Sequence, residues 1–507
     1  MTAPAPNILV FMADQMAAAF LPIYGHRLVR APNMDTLGRE GVVFDSAYCA
    51  SPLCSPSRAS LMAGLLPSRT RVYDNAAEFS PDIPTFAHHL RLRGYRTILS
   101  GKMHFCGPDQ LHGFEERLTT DIYPADYGWT PDWDHPEARP SWYHNMSSVA
   151  QAGVCVRSNQ LDFDDEVAFL SERAIFNIAR RKDKRPFLLV ASFTHPHDPF
   201  AVPQRYWDLY RHEDVEPPGP GVTADRLDPH SRRLRDVCAM DVDPVTQDEA
   251  LNARRAYFGA VSYIDDHFGR LIEALRAGGL AEDTIVALVS DHGEMLGERG
   301  LWYKMSFFEG AARVPLVIAS PGRFKPRRVG ASVSLVDLLP TLVDLSGGDS
   351  GSLSASIDGR SLMPHLCGRP GHDEAVGEYL AEGAIAPIVM IRRGAFKFVH
   401  SPPDPDQLYD VARDPGERDN LATSREHAQR VAEFRAEVAR RWDLARLDAE
   451  VRASQRRRRL VDGALNKGTV RPWDFQPFHD ASRQYVRNGV DLDETEGAAR
   501  FPRVART

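Results

Sequence analysis

Apolar residues along the chain gather into short runs that stop abruptly on polar or charged ones. Residues 7–13, NILVFMA, form one such run and end at Asp14-Gln15. Similar runs occupy 95–101 (YRTILSG), 186–193 (PFLLVASF), 284–290 (TIVALVS) and 314–320 (VPLVIAS). Their length and near-continuous apolar character predict strands buried on both faces. Helical periodicity separates them, at 83–94 (IPTFAHHLRLRG) and from Ala250 to Ala277. Strands alternating with helices predict an α/β fold whose sheet is covered on both faces. A Gly/Ser-rich stretch at 347–356 then changes the pattern. Beyond it, 387–393, 396–400 and 407–411 read as short strands of a small antiparallel subdomain. Val431, Phe434, Val438 and Trp442 share one helical face, predicting an amphipathic helix that runs on toward the arginines at 456–459. That arginine run reads as a solvated face. The expected divisions are a catalytic unit at 1–346, a smaller subdomain at 347–465 and a tail at 466–507. Aromatic residues from Trp473 to Tyr485 suggest that the tail clamps onto something rather than trailing free.

Composition narrows the classes. A chain of 507 residues, 43% hydrophobic and 26% charged, can bury a large core, and its net charge of −8 argues against nucleic acid as a partner. No Lys or Arg precedes the first apolar run, which is strand length, so neither a secretory leader nor a membrane span is expected. Six scattered cysteines do not form a disulfide framework, and reduced thiols in a cytoplasmic protein are the expectation.

The chemistry concentrates where apolar runs end. Asp14-Gln15, Lys102 and His104 in GKMH, and Asp291-His292 in SDHGE all follow strands, and ligands of open α/β sheets collect beyond the carboxyl ends of strands. Two Asp, a Gln amide oxygen and a His make a mostly oxygen donor set, suited to Ca²⁺ or Mg²⁺. Singly, each of these carboxylates could be a strand-end cap. Arg58, Lys102, His104 and Lys304 add positive charge fit for a tetrahedral anion such as sulfate or phosphate. FTHPHDP adds His195 and His197, either a core histidine or a proton donor.

Cys54-Ser55-Pro56-Ser57-Arg58 followed by ASLMAG resembles the signature of type I sulfatases, in which that cysteine is oxidised to formylglycine by a maturation enzyme. Asp14-Gln15, GKMH, PHDP and DHGEMLGERGLWYK stand in the order of that family, and the likeness spans nearly the whole chain. The bacterial choline-sulfatase branch is most similar, through RTRVYDNAAE, GPDQLHGFEERLTTDIYPADYGWTPDW and the tail RNGVDLDETEGAARFPR. His292 stands where many members have Asn, and Gln15 where many have a second Asp. The resemblance implies an alkaline-phosphatase-like sulfatase fold with a large mixed sheet. It also implies a divalent metal held by Asp14, Gln15, Asp291, His292 and the modified Cys54. One hydroxyl of the hydrated aldehyde would attack sulfur, and loss of the proton from the other would expel sulfate. By the same resemblance Arg58 orients the hydrate, Lys102 and Lys304 hold sulfate oxygens, and Asn75 lines the sulfate pocket. His104 assists release of sulfate, and His197, in the shared His-x-Pro pattern, protonates the leaving alcohol.

Choline-O-sulfate is the implied substrate. A quaternary ammonium offers no N–H donor and is recognised by aromatic faces and carboxylates. Trp129 and His144 are the candidate walls, and Glu382 and Asp493 the candidate carboxylates. A tail residue serving as a ligand suggests reach across a subunit boundary, hence a homo-oligomer. Hydrolysis of phosphonates, phosphate esters or aryl sulfates is the alternative within the family. An unmodified, catalytically silent sulfate- or choline-binding protein is the alternative outside it.

Overall fold

The computed structural model describes residues 5–469, except 124, 125, 141, 184, 224, 225 and 354, together with 492–500, 502 and 504. The aromatic tail segment from Trp473 to Tyr485 lies outside the described residues. In chain order the strands are β1 (Asn7–Ala13), β2 (Val42–Tyr48), β3 (Arg96–Gly101), β4 (Glu116–Arg117), β5 (Gly153–Val154), β6 (Phe187–Phe193) and β7 (Ala201–Val202). They continue with β8 (Thr284–Ser290), β9 (Leu316–Ala319), β10 (Arg327–Ser334), β11 (Ala375–Tyr379), β12 (Ile388–Arg393), β13 (Phe396–His400) and β14 (Gln407–Asp410).

Eight strands form a mixed sheet in the order β10-β2-β9-β8-β1-β6-β3-β4, in which only β9 runs against its neighbours. β1 is flanked in parallel by β6 and β8, with Ile8 opposite both Leu188 and Ile285. These central strands are apolar on both faces because helices cover both sides. Helices Pro32–Glu40, Asn159–Arg180 and Gln247–Ala277 pack together as one layer, and Cys54–Ala63, Phe86–Leu92 and Leu338–Leu345 as another. β2 and β10 escape the sequence reading because Asp45 and Ser46 interrupt one and Arg327, Arg328, Gly330 and Ser332 the other. Asp45, Ser46, Arg327, Arg328 and Gly330 are partly or fully exposed, and such positions tolerate polar residues.

β11 to β14 form a separate antiparallel sheet in sequence order. Its strands alternate with period two. Val389 and Ile391 of β12 and Phe398 of β13 face Val431, Phe434 and Val438 of the helix Ala428–Arg441, whereas Ile388 and Met390 join the main core. The helix does not run on to the arginines. Trp442 is extended (φ −127°, ψ 135°) and donates from Nε1 to Glu378, 2.6 Å away. Asp443 then caps a second helix, Leu444–Leu465, by accepting from Arg446 N at 3.0 Å. Nor is the arginine run simply a solvated face, since Arg458 is buried and pairs with Asp74. The helix Leu492–Ala499 reaches the cavity lined by Cys54 within one chain, so reach alone gives no argument for an oligomer. Among the described residues no helix is long and apolar enough to cross a membrane.

Phe434 stacks on Phe398 with ring centroids 5.2 Å apart and is almost fully buried. Phe434→Ala is expected to cost about 3–4 kcal/mol by lost burial and the cavity left behind. Denaturant unfolding should show this as a lower midpoint with little change in metal content.

Candidate active site

Because β1, β3, β6 and β8 run parallel, their carboxyl ends open on the same side. Asp14 and Gln15 follow β1, Lys102 and His104 follow β3, His195 to Asp198 follow β6, and Asp291 and His292 follow β8. Gly101, at the end of β3, has φ +103°, and a Cβ there would stand 1.8 Å from the Ser192 carbonyl oxygen. Only glycine lets the chain turn so close to β6 and carry Lys102 inward. Gly293 is equally confined, with Gly310 O 2.0 Å from the place of its missing Cβ. Cys54 opens the helix Cys54–Ala63, whose amino end faces these strand termini.

Donor atoms of Asp14, Cys54, Asp291 and His292, all buried, lie within 4.8 Å of one another. Cys54 Sγ is 3.2 Å from His292 Nε2 and 3.8 Å from Asp14 Oδ1. His292 Nδ1 donates to Gly293 O at 3.1 Å, which leaves Nε2 as the free lone pair facing the cluster. Burial keeps this imidazole neutral by lowering its pKa, against the pull of Asp291. Two carboxylates and a neutral imidazole suit a hard divalent ion. The thiol is the poor match, and an oxygen in its place would complete the set.

The Arg58 guanidinium is fully buried beneath this cluster. Its Nε donates to Asp291 Oδ2 at 2.7 Å, and Nη2 lies 3.3 Å from Asp14 Oδ2. Nη1 donates to Lys102 O at 2.5 Å and Ser192 Oγ at 2.8 Å. Burial disfavours its charge, yet Asp291 and Asp14 raise its pKa overall. Lys102 Nζ pairs with Asp14 and stands 3.7 Å from Cys54 Sγ. Burial alone would raise the Asp14 pKa, but Lys102 and Arg58 hold it well below the usual carboxylate range.

Gln15 is adjacent, with its backbone N–H on Asp291 Oδ1, but its amide turns elsewhere. Oε1 accepts from Lys304 Nζ at 2.5 Å, and Nε2 donates to Glu294 Oε2 at 2.5 Å and Asp198 Oδ1 at 3.2 Å. Lys304 Nζ also donates to His197 Nε2 at 2.8 Å, while His197 Nδ1 donates to Asp198 O at 2.6 Å. Burial and Lys304 lower the His197 pKa well below its ordinary value, so the ring rests neutral. His195 points away, held by Asp164 at 2.7 Å with its ring against Tyr263. His104 is buried, and neither ring nitrogen has a hydrogen-bond partner among the described residues. Asn75 lines the same cavity and accepts from Ser55 N at 3.0 Å, beside Cys54.

From this charged floor the cavity opens toward an aromatic end. Trp129 lies edge-on to His104, centroids 5.8 Å apart, and stacks at 6.2 Å on Trp142. His144 stacks on Tyr303 at 4.5 Å, and burial and Lys304 bring its pKa down to about 3. Glu382 is buried there, and burial pushes its pKa up to about 7. Asp493 closes the mouth and accepts from Asn145 Nδ2 at 2.5 Å. Sequence reasoning missed Tyr123, Trp142, Asp198, Glu294 and Glu496. Glu294 and Asp198 lie inside the quoted motifs DHGE and PHDP. Glu496 follows Asp493 by three positions, on the same face of a helix that no apolar periodicity announces.

Known proteins give the same picture. The Sulfatase family model matches residues 6–348, a model described as N-sulphoglucosamine sulphohydrolase, C-terminal, matches 297–443, and one described as Choline sulfatase enzyme C terminal matches 449–501. A choline-sulfatase of Rhizobium meliloti is 48% identical over 513 residues, covering 99% of this chain and 100% of that protein. An arylsulfatase of Clostridium perfringens is 29% identical, covering 84% of this chain and 92% of its own. The crystal structure of a phosphonate monoester hydrolase of Agrobacterium radiobacter superposes with a TM-score of 0.69 at 28% identity, over 88% of this chain and 96% of that one. With this sheet, this cluster beyond its strand ends and a family model spanning most of its length, the chain belongs to the sulfatase family.

Proposed function

We propose that the chain hydrolyses choline-O-sulfate to choline and sulfate, using an oxidised Cys54 and a divalent ion at Asp14, Asp291 and His292. The observation that carries this reading is the polarity of one cavity. Lys102 and Lys304 lie at its Cys54 end, while Trp129, Trp142, Glu382 and Asp493 line the other. A zwitterion with sulfate at one end and a trimethylammonium group at the other matches both. The identity to the Rhizobium meliloti choline-sulfatase supports it.

A Ca²⁺ or Mg²⁺ ion at the cluster would supply charge that acidifies the nucleophile and neutralises sulfate oxygens. Converted by a maturation enzyme to formylglycine, position 54 supplies a hydrated aldehyde as nucleophile. Lys102 and Lys304 hold sulfate oxygens, and Asn75 fixes the helix terminus beside them. Arg58 holds the two aspartates that its guanidinium contacts directly, and orients the hydrate beside them. As the S–O bond to choline breaks, its electron pair stays on the alcohol oxygen, which takes a proton from the Lys304–His197 pair. Lys304 Nζ stands 2.8 Å from His197 Nε2, so the donor and the imidazole act on that oxygen as a pair. His104, with both nitrogens unpartnered, takes the proton whose loss expels sulfate and restores the aldehyde. The likeness to a phosphonate monoester hydrolase favours, as a second reading, hydrolysis of other tetrahedral esters at the same floor.

Cys54→Ala should abolish sulfate release, and Cys54→Ser in a host that oxidises only cysteine should accumulate a sulfated enzyme visible by intact mass. Near wild-type turnover by purified Cys54→Ala would eliminate the mechanism.

The substrate is tested by truncating the aromatic end. A desolvated cation–π contact of about 2 kcal/mol corresponds to a roughly thirtyfold loss in kcat/KM for Trp129→Ala on choline sulfate. Asp493→Asn should lose in the same direction, and both variants should keep their rate on an aryl sulfate without a cation. Equal losses on the two substrates would mean that these residues support the fold, and no loss on choline sulfate would favour the second reading.

Glu382 gives a pH signature. With its pKa near 7 it is neutral below that value and charged above it, so KM for choline sulfate should fall as pH rises through neutrality. KM for an aryl sulfate without a cation should not follow, and Glu382→Gln should remove the difference.

A further inference from the structure

The helix Leu444–Leu465 lies outside the cavity, yet its side chains grip the segment that carries Trp129. Gln455 Oε1 accepts from Trp133 N at 3.0 Å, and Arg452 donates to Trp133 O at 2.6 Å and Ile385 O at 2.7 Å. Arg458 goes deepest. Its Nη1 and Nη2 donate to the two oxygens of Asp74 at 2.6 and 2.7 Å, and Nη1 also reaches Thr130 Oγ1 at 3.2 Å. Asp74 is completely buried, and Arg458 is 7% exposed.

The chain neighbours of these two partners are cavity residues. Asp74 precedes Asn75, which holds Ser55 N beside Cys54. Thr130 follows Trp129 and ends its turn, donating from Oγ1 to Tyr127 O at 2.7 Å. One planar guanidinium therefore ties the sulfate end to the aromatic end from behind. Its fork geometry fits this task where a lysine's single point charge does not. A buried Asp74 also requires a buried cation, so the pair is held in one arrangement.

We propose that Arg458 is a positioning residue that sets the distance between the sulfate and ammonium ends of the cavity and thereby selects choline sulfate over sulfate esters without a cation. The proposal rests on the choline-sulfate reading above. Arg458 touches no substrate atom and acts through Asp74 and Thr130.

The test uses the full-length, metal-loaded protein with Cys54 converted, assayed on choline sulfate and on 4-nitrophenyl sulfate. Arg458→Lys keeps the charge but not the fork, and should lower the ratio of the two specificity constants by about tenfold, mainly through KM for choline sulfate. Thr130→Val removes the Arg458 contact, and with it the bond to Tyr127 O, without stranding a buried charge, and should shift the ratio the same way by roughly threefold. In a Trp129→Ala background Arg458→Lys should change the ratio by less than about twofold, because the group it positions is gone. An unmoved ratio in both single variants, an equal loss on both substrates, or a full further loss without Trp129 would each overturn the proposal. If Arg458→Lys fails to fold, Thr130→Val decides alone. A wild-type protein inert toward choline sulfate overturns the substrate reading and this proposal together. Wild-type activity with an unmoved ratio overturns this proposal only.

Discussion

The site depends on one buried guanidinium. Arg58 contacts Asp14 beyond β1, Asp291 beyond β8, Ser192 in β6 and the Lys102 carbonyl beyond β3, so a single side chain ties the ends of four neighbouring strands. Two carboxylates this close and this dry would repel one another and take up protons. Arg58 and Lys102 supply the opposing charge and hold them in place. Removing one partner of such a buried pair leaves an uncompensated charge, at a cost of about 3–5 kcal/mol. The interaction that organises the sheet ends is thus the same one that prepares a metal site.

Charge balance follows from that arrangement. Asp14, Asp291 and Asp198 offset Arg58, Lys102 and Lys304, while His197 and His292 stay neutral through burial. The protein alone is therefore nearly neutral at the cavity floor. A divalent ion would tip it positive, and an anionic sulfate group would offset part of that charge. The same desolvation that keeps the histidines neutral strengthens every remaining charge–charge contact there.

The aromatic end is built differently. Its residues come from irregular segments around 129 and 142–145, from the loop at Glu382 and from the helix Leu492–Ala499, none of which belongs to the large sheet. Such segments need outside support, and the helix Leu444–Leu465 supplies it through Arg452, Gln455 and Arg458. Rigid strand ends thus carry the groups common to the family. Braced loops carry those that would choose the alcohol, as expected where one scaffold serves several substrates.

The sequence by itself determined the central strands, because residues buried on both faces must be apolar in unbroken runs. It also marked Asp14, Lys102, Asp291 and His292, because chemistry placed at strand ends interrupts such runs abruptly, and Cys54 and Arg58 through the resemblance of their stretch to the sulfatase signature. It did not reveal β2 and β10, whose partly exposed positions admit polar residues, nor the break at Trp442, where the apolar spacing continues through the end of the helix. Periodicity along one element says nothing about what another element brings to it. Only the tertiary structure could turn Arg458 from an apparently solvated arginine into the partner of a buried aspartate 384 positions away. For the same reason it alone brought Glu496 into the cavity and set Arg58 against two aspartates. Burial and pairing are properties of the packed chain, and they decide what a charged residue does.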